Sequence, residues 1–243
     1  MMKRKQFLLA LLAASVLVQP VLSGAKTADP APAAAASNAQ PYPAPLPPEI
    51  AAKAYVLIDA TAGGQVLAAK NADMPVEPAS LTKLMTGYLV FEALKNKRLA
   101  LDQKLTVSQR AKTVEGSRMF IDTGWQVPVD DLIKGLIVQS GNDAANVLAE
   151  GVGGTIENFV QMMNNEAQRL GMTHSHFLNP IGLPQPGHVS TANDLALLTH
   201  RLQQDFPEYM HYYGIKKYRY PGTPVSNDTN RNTLLFRDPS VDG

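Results

Sequence analysis

The sequence contains no cysteine, which excludes structural disulfides and thiolate metal sites. It also has no excess of either charge, since 22 Lys and Arg residues balance 21 Asp and Glu residues for a formal net charge of +1 at pH 7. Such a balance offers no basic field to a nucleic acid, so we expect no nucleic-acid partner. Hydrophobic residues make up 45% of the chain, which is enough for an ordinary globular core.

The first 25 residues have the three parts of a secretory signal peptide. A basic start at residues 3–5 precedes an apolar run over residues 7–18, which is too short for a good membrane span. Small residues at 23–25 provide a cleavage site. We therefore predict an exported protein with a signal peptide over residues 1–25. The alternative is an uncleaved N-terminal anchor.

The remainder of the chain divides into a linker and a globular domain. Residues 26–48 are rich in Ala and Pro, a composition typical of an extended linker. After that, two strand-like runs flank Gly63 and Gly64 and predict a β-hairpin, and helical patterns follow it. Gly171 is placed as the C-cap of one of these helices, and residues 191–194 have the spacing of an N-terminal cap for a later one. Strand-like sequence returns near Lys216. This order predicts an α+β domain over residues 49–243 in which distant segments share one sheet.

Ser80 and Lys83 form a Ser-x-x-Lys pattern at the start of a predicted helix. Residues three apart lie on the same side of a helix, so Lys83 reaches the Ser80 hydroxyl. Apolar neighbours such as Leu84 and Met85 remove water from the amine and favour its neutral, proton-accepting form. We therefore predict Ser80 as a nucleophile and Lys83 as its general base. The four-residue pattern alone is near chance level, because residues 23–26 match it too.

A second polar pattern, Ser140-Gly141-Asn142, lies between two predicted helices. The Ser140 hydroxyl is a candidate relay that passes a proton to a leaving amine. The Asn142 amide is a candidate ligand for the substrate backbone and for Lys83. This pattern is also weak alone, and its alternative role is an N-cap for the following helix. Both roles are compatible with each other.

Two further groups of polar residues are weaker candidates for a functional site. His174 and His176 have no carboxylate or third histidine at a metal-binding spacing, so we expect no metal and no cofactor. Ser117 and Arg118 are candidates either for lining a site or for stabilising a loop.

Several long strings resemble one family. Residues 78–86, Pro-Ala-Ser-Leu-Thr-Lys-Leu-Met-Thr, closely resemble the active-site segment of the serine-type D-Ala-D-Ala carboxypeptidases, the low-molecular-mass penicillin-binding proteins. Other segments are similar to the same family in the right order, namely residues 55–59, 115–120, 135–144, 179–183 and 187–192. The resemblance covers about residues 50–243.

The resemblance implies a β-lactamase/transpeptidase-like fold, in which helices flank an antiparallel sheet and form an all-helical subregion. It implies a periplasmic D-alanyl-D-alanine carboxypeptidase whose partner is the peptidoglycan pentapeptide. Ser80 would attack the carbonyl between the two D-Ala residues, Lys83 would act as base, and Ser140 would help to protonate the leaving amine. The backbone N–H of Ser80 would form half of the oxyanion hole. β-Lactam antibiotics would acylate Ser80 as covalent inhibitors.

The family's third motif, Lys-Thr-Gly, does not occur in this sequence. In the family it follows a Val-Asp-Gly-like lead-in, and this chain ends with Val241-Asp242-Gly243. We therefore expect the chain to be a fragment of a longer protein, without the last strands of the sheet and without full activity of its own. Association with the inner membrane through later residues stays open. The alternative is a natural, inactive truncation.

Two other functions remain open at this point. A β-lactamase or esterase on the same scaffold needs fast deacylation, and the Glu-x-x-Leu-Asn string that places the deacylating Glu in one β-lactamase class is absent from the sequence. A non-catalytic cell-wall binding module would explain the missing motif. Retention of both Ser80 and Lys83 argues against that module.

Overall fold

The computed structural model describes residues 49–243. The predicted signal peptide over residues 1–25 and the predicted linker over residues 26–48 lie outside the described residues. Short 3₁₀ turns occur at Ala79–Leu81, Pro207–Tyr212 and Val225–Asn227. The strands and α-helices, in chain order, are β1 (Tyr55–Asp59), β2 (Gln65–Lys70), α1 (Thr82–Lys95), β3 (Lys104–Thr106), α2 (Gln109–Thr113), β4 (Gln126–Pro128), α3 (Val129–Val138), α4 (Asn142–Gly153), α5 (Ile156–Leu170), α6 (Ala192–Asp205) and α7 (Leu234–Arg237).

The predicted hairpin is confirmed, because β1 and β2 pair antiparallel. Its turn contains Gly63 and Gly64 with φ angles of +70° and +84°, a left-handed conformation that glycine adopts without a steric penalty. The register shifts by one residue between Leu57 and Ile58. A second, shorter antiparallel pair joins β3 to β4. Small antiparallel sheets beside many helices confirm the α+β class.

The prediction of one sheet shared by distant segments is wrong for residues 49–243. Here β1–β2 and β3–β4 are two separate two-stranded sheets, and Lys217 meets Thr229 only at an isolated bridge. Backbone pairing of the segment near Lys216 is limited to this bridge, where the Asn230 N–H donates to the Lys216 carbonyl at 2.8 Å and the Tyr218 N–H donates to the Asp228 carbonyl at 2.9 Å. On either side of the bridge, side chains satisfy the carbonyl groups instead of a neighbouring strand. The Gln139 amide donates to the Tyr218 carbonyl at 2.5 Å, and Asn230 donates to the Ile215 carbonyl at 2.9 Å.

Helix α1 is the centre of the core and packs against α3, α4, α5 and α6. Its side chains are buried on nearly every side, including Met85, Tyr88, Leu89 and Phe91. A helix that is apolar all round belongs in an interior, and this explains its central place. Residues Ala144 to Ala149 of α4 are equally buried. The packing of α1 against α4 brings the two predicted motifs together.

The helix ends follow the capping signals in the sequence. The Thr191 hydroxyl accepts a hydrogen bond from the Asp194 N–H at 3.1 Å, so the predicted N-cap of α6 is confirmed. The Asp194 carboxylate does not return the bond; it accepts from the His174 N–H and the Ser175 hydroxyl. Gly171 caps α5 with a φ of +87°, as predicted. None of the helices in residues 49–243 combines the length and the apolarity that a membrane crossing needs.

Candidate active site

Ser80 lies in the 3₁₀ turn Ala79–Leu81, which leads directly into α1. The turn closes with a hydrogen bond from the Leu81 N–H to the Pro78 carbonyl at 3.1 Å. Ala79 has a φ of +47°, an unfavourable conformation for a residue with a Cβ that the surrounding contacts must stabilise. This sharp turn leaves Ser80 exposed at the entrance of a cavity. The serine therefore lies just before the predicted helix and is accessible to a substrate.

Lys83 lies in the first turn of α1, and only 6% of its surface is exposed. Its Nζ lies 3.3 Å from the Ser80 Oγ, 2.7 Å from the Asn142 Oδ1 and 2.7 Å from the Ile181 carbonyl oxygen. An ammonium group can donate one proton to each of these oxygens. A neutral amine has two protons for the two carbonyl-type oxygens, so its lone pair faces the Ser80 hydroxyl. This is the geometry of a general base.

The electrostatics of the site favour the neutral amine. Burial, and to a smaller extent the positive charge of Arg231, lower the pKa of Lys83 to about 7, while the Asp143 carboxylate acts in the opposite direction. A lysine with its usual pKa near 10.5 would be almost wholly protonated at neutral pH. At neutral pH a far larger share of the Lys83 amines is therefore ready to accept a proton than in an ordinary lysine.

The second motif meets the first one at this cavity. The Asn142 Nδ2 donates to the Glu115 carbonyl at 2.6 Å, which orients the amide so that its Oδ1 faces Lys83. Ser140 has a φ of +53° and lines the same cavity as Ser80. The structure therefore brings together all four residues that the sequence selected. The other residues that line the cavity are Leu81, Leu84, Leu136, Ile137, Tyr213, Asn230, Asn232 and Gly243.

Asp143 is a buried carboxylate that sequence reasoning did not select. Its two oxygens accept hydrogen bonds from the backbone N–H groups of Met119, Phe120, Ile121 and Ala144 at 2.9 to 3.3 Å. Burial raises the pKa of Asp143, while the four N–H groups act in the opposite direction. The carboxylate holds the loop that precedes β4 against the start of α4. No local pattern signals this role, because the three loop N–H groups lie more than twenty residues earlier in the chain.

We expect Asp143→Ala to destabilise the protein by about 3 kcal/mol, because three loop N–H groups lose their acceptor in a buried place. For a domain of this size the melting temperature should fall by about 6–12 °C, which calorimetry measures. Asp122→Ala is the matched control. Its exposed carboxylate pairs with Lys112 at 2.8 Å, and such solvent-screened surface pairs contribute little to stability. Equal shifts for the two variants would contradict the loop-holding role of Asp143.

The remaining candidates fall into two groups. The Arg231 guanidinium donates to the Ser117 hydroxyl, so Ser117 belongs to the surroundings of the site. Arg118 instead lies 5.2 Å over the Phe120 ring and has a packing role. Between residues 49 and 243, no group of three or more His, Cys, Asp or Glu side chains is arranged to hold a metal ion.

Comparison with known proteins gives a consistent result. The family model described as D-alanyl-D-alanine carboxypeptidase matches residues 40–243. The D-alanyl-D-alanine carboxypeptidase DacD of Escherichia coli is 43% identical over 206 residues, which cover 82% of this chain and 52% of that protein. The chain therefore spans about half the length of this relative.

Solved structures agree with the sequence match. Penicillin-binding protein 5 from Haemophilus influenzae superposes with a TM-score of 0.75 at 38% identity, over 80% of this chain and 56% of that one. Penicillin-binding protein D2 from Listeria monocytogenes, in its ampicillin-bound form, superposes with a TM-score of 0.67 at 30% identity, over 80% of this chain and 78% of that one.

Proposed function

The chain belongs to the D-alanyl-D-alanine carboxypeptidase family, and on that premise we propose that the protein removes the terminal D-Ala from peptidoglycan pentapeptides through an acyl-enzyme on Ser80. One observation carries the proposal. The Lys83 Nζ lies 3.3 Å from the Ser80 Oγ, and burial lowers the pKa of this lysine to about 7. A serine hydroxyl needs such an adjacent base to attack an acyl carbon.

In the acylation step, the Ser80 Oγ attacks the carbonyl carbon between the two D-Ala residues, and its proton moves to the Lys83 Nζ. The resulting oxyanion accepts a hydrogen bond from the Ser80 N–H. The C–N bond then breaks, and the proton passes from Lys83 through the Ser140 hydroxyl to the leaving amine. The products of this step are free D-Ala and an ester on Ser80.

In the deacylation step, a water molecule takes the place of the departed D-Ala. Lys83, neutral again, accepts a proton from this water as it attacks the ester carbonyl. The ester bond breaks, and the proton returns to the Ser80 oxygen. The shortened peptide leaves with a new terminal carboxyl group, which releases its proton to the solvent and becomes a carboxylate.

β-Lactam antibiotics are the inhibitors that fit this mechanism. The strained β-lactam amide presents a carbonyl to Ser80, and ring opening leaves the amine attached to the adduct, where it blocks the approach of water. The ampicillin-bound relative from Listeria monocytogenes supports this class of ligand.

The protein acts in the periplasm, where its cell-wall substrate lies, and cell fractionation tests this location. Recovery of the protein in the cytoplasm would contradict it.

The direct test is mass spectrometry of the full-length gene product after incubation with benzylpenicillin. We expect a single adduct on the peptide that contains Ser80. No adduct, or an adduct on another residue, would contradict the proposal.

A second test, with nitrocefin, distinguishes the carboxypeptidase from a β-lactamase on the same scaffold. A carboxypeptidase should open about one equivalent of nitrocefin per protein molecule and then slow down, because the acyl-enzyme persists. A β-lactamase should hydrolyse nitrocefin continuously.

The rate of Ser80 acylation should depend on pH in a specific way. Only neutral Lys83 accepts a proton, so the rate should fall about tenfold for each pH unit below the Lys83 pKa of about 7. Above that pH it should level off. Stopped-flow labelling with a fluorescent penicillin between pH 5 and pH 10 measures the profile. A rate that keeps rising to pH 10 would show that Lys83 has an ordinary pKa.

A further inference from the structure

A segment that we call the clamp segment, residues 178–188, lies along the active-site turn and meets it at several points. The Ile181 carbonyl accepts from the Lys83 Nζ at 2.7 Å, and the Pro180 carbonyl accepts from the Thr86 hydroxyl at 2.6 Å. Lys83 therefore depends, for one of its three partners, on a backbone atom of a loop that lies about a hundred residues later in the chain.

The clamp segment approaches the turn closely at Gly182. A Cβ at this position would lie 1.8 Å from the Ala79 carbonyl oxygen, and the residue has a φ of +85°. Only glycine fits both the space and the conformation. The close approach brings the Ile181 carbonyl within reach of Lys83, but a close approach alone does not hold a loop in place.

His188, at the end of the clamp segment, makes a hydrogen bond with each of its ring nitrogens. Its Nδ1 accepts from the Leu178 N–H at 3.0 Å, so this nitrogen carries no proton. The neutral ring then has its proton on Nε2, which lies 2.8 Å from the Thr82 Oγ1 and donates to it. The ring thus ties both ends of the clamp segment to α1 in a single tautomer.

Both partners of the hydrogen bond between His188 and Thr82 are buried in the protein. Thr82 has no exposed surface, and His188 is 2% exposed. Burial and the neighbouring His176 lower the pKa of His188, while Glu77 acts in the opposite direction. Thr82 directly precedes Lys83 in the chain, so the hydrogen bond joins His188 to the helical turn that also contains the base, Lys83.

We propose that Thr82 and His188 are positioning residues that hold the Ile181 carbonyl against the Lys83 Nζ and so keep the base aimed at Ser80. The inference deepens the proposed function, on which it rests. Neither residue touches the reacting atoms. A carbonyl oxygen stabilises an ammonium group more than a neutral amine, so loss of this contact lowers the Lys83 pKa and also frees the amine to turn away from Ser80.

Four substitutions test the two hydrogen bonds of the His188 ring one at a time. Thr82→Val removes the hydroxyl with little change of shape, and Thr82→Ser restores it. His188→Asn places an oxygen near the position of Nδ1 and loses the bond to Thr82, whereas His188→Gln places a donor near the position of Nε2 and loses the bond to Leu178. His176→Gln is the control, because it removes the neighbouring imidazole that lowers the His188 pKa and leaves both His188 hydrogen bonds in place.

The first readout is the rate of Ser80 acylation by a fluorescent penicillin. We expect Thr82→Val and both His188 variants to lose about ten- to a hundredfold, a size typical of a misaligned catalytic group. Thr82→Ser should recover most of the rate, and His176→Gln should match the unmodified protein. The acidic limb of the pH profile should move to lower pH by about one unit in the three impaired variants.

The second readout is the pKa of Lys83 itself, measured by NMR with ¹³C-labelled lysine, which requires no turnover. A pKa about one unit lower in the impaired variants supports the inference, whatever their melting temperature. Lower melting temperatures with an unchanged Lys83 pKa and an unchanged pH profile would overturn it, since the pair would then serve stability alone. If the unmodified protein takes up no penicillin, the proposed function fails, and the lysine titration still decides whether the clamp exists.

Discussion

Ser80→Ala should take up no penicillin and should release D-Ala from a pentapeptide about 10⁶-fold more slowly than the unmodified protein, a loss typical of a serine nucleophile. The physical reason is that the covalent intermediate has no oxygen on which to form. The substitution removes an exposed hydroxyl, so the free energy of unfolding should change by only about 0.5 kcal/mol. Labelled penicillin and release of D-Ala measure the loss, and thermal unfolding verifies the fold.

Ser226→Ala is the matched control for this experiment. Ser226 is also an exposed serine in a 3₁₀ turn, Val225–Asn227, but no lysine stands three residues after it. Full activity of this control shows that the loss is specific to position 80. Penicillin labelling that persists in Ser80→Ala would remove Ser80 from its role as nucleophile and would return the non-catalytic cell-wall module to consideration.

Lys83→Met should reduce the acylation rate by about 10³- to 10⁴-fold, the upper part of the range for a general base. Methionine keeps most of the volume of the side chain but accepts no proton. The Asn142 Oδ1 and the Ile181 carbonyl lose their donor, so we expect a cost in stability of about 1–3 kcal/mol. Single-turnover labelling of Ser80 measures the rate, and calorimetry measures the stability.

Lys83→Arg distinguishes a base from a mere positive charge. A guanidinium keeps the charge, yet it stays protonated at every pH that the protein tolerates, so it accepts no proton from Ser80. We therefore expect Lys83→Arg to be as slow as Lys83→Met. The control is Lys97→Met, at an exposed lysine beyond the end of α1, which should keep the normal rate. Fast acylation by Lys83→Arg would mean that another group takes the proton.

Local structure was well predicted where neighbouring residues decide it. The hairpin depends on two adjacent glycines, and the caps of α5 and α6 depend on residues within one helical turn of the helix end. The predicted return of strands near Lys216 was wrong within the described residues. A strand needs backbone partners over several residues, and here the pairing stops after one bridge, beyond which side-chain amides such as that of Gln139 satisfy the carbonyls.

The sequence by itself determined the family, because several long strings resemble it in the right order. It also selected the four residues of the candidate site, because Ser80 and Lys83 are one helical turn apart and the second motif begins α4. The tertiary structure alone decided how these groups act. The pKa of Lys83 comes from burial under distant elements, and its aim comes from the Ile181 carbonyl. The apolar neighbours of Lys83 in the sequence predicted the direction of its pKa shift, but the extent of burial depends on the whole fold. Backbone carbonyls carry no residue signature, so no local pattern could have revealed the contact with Ile181.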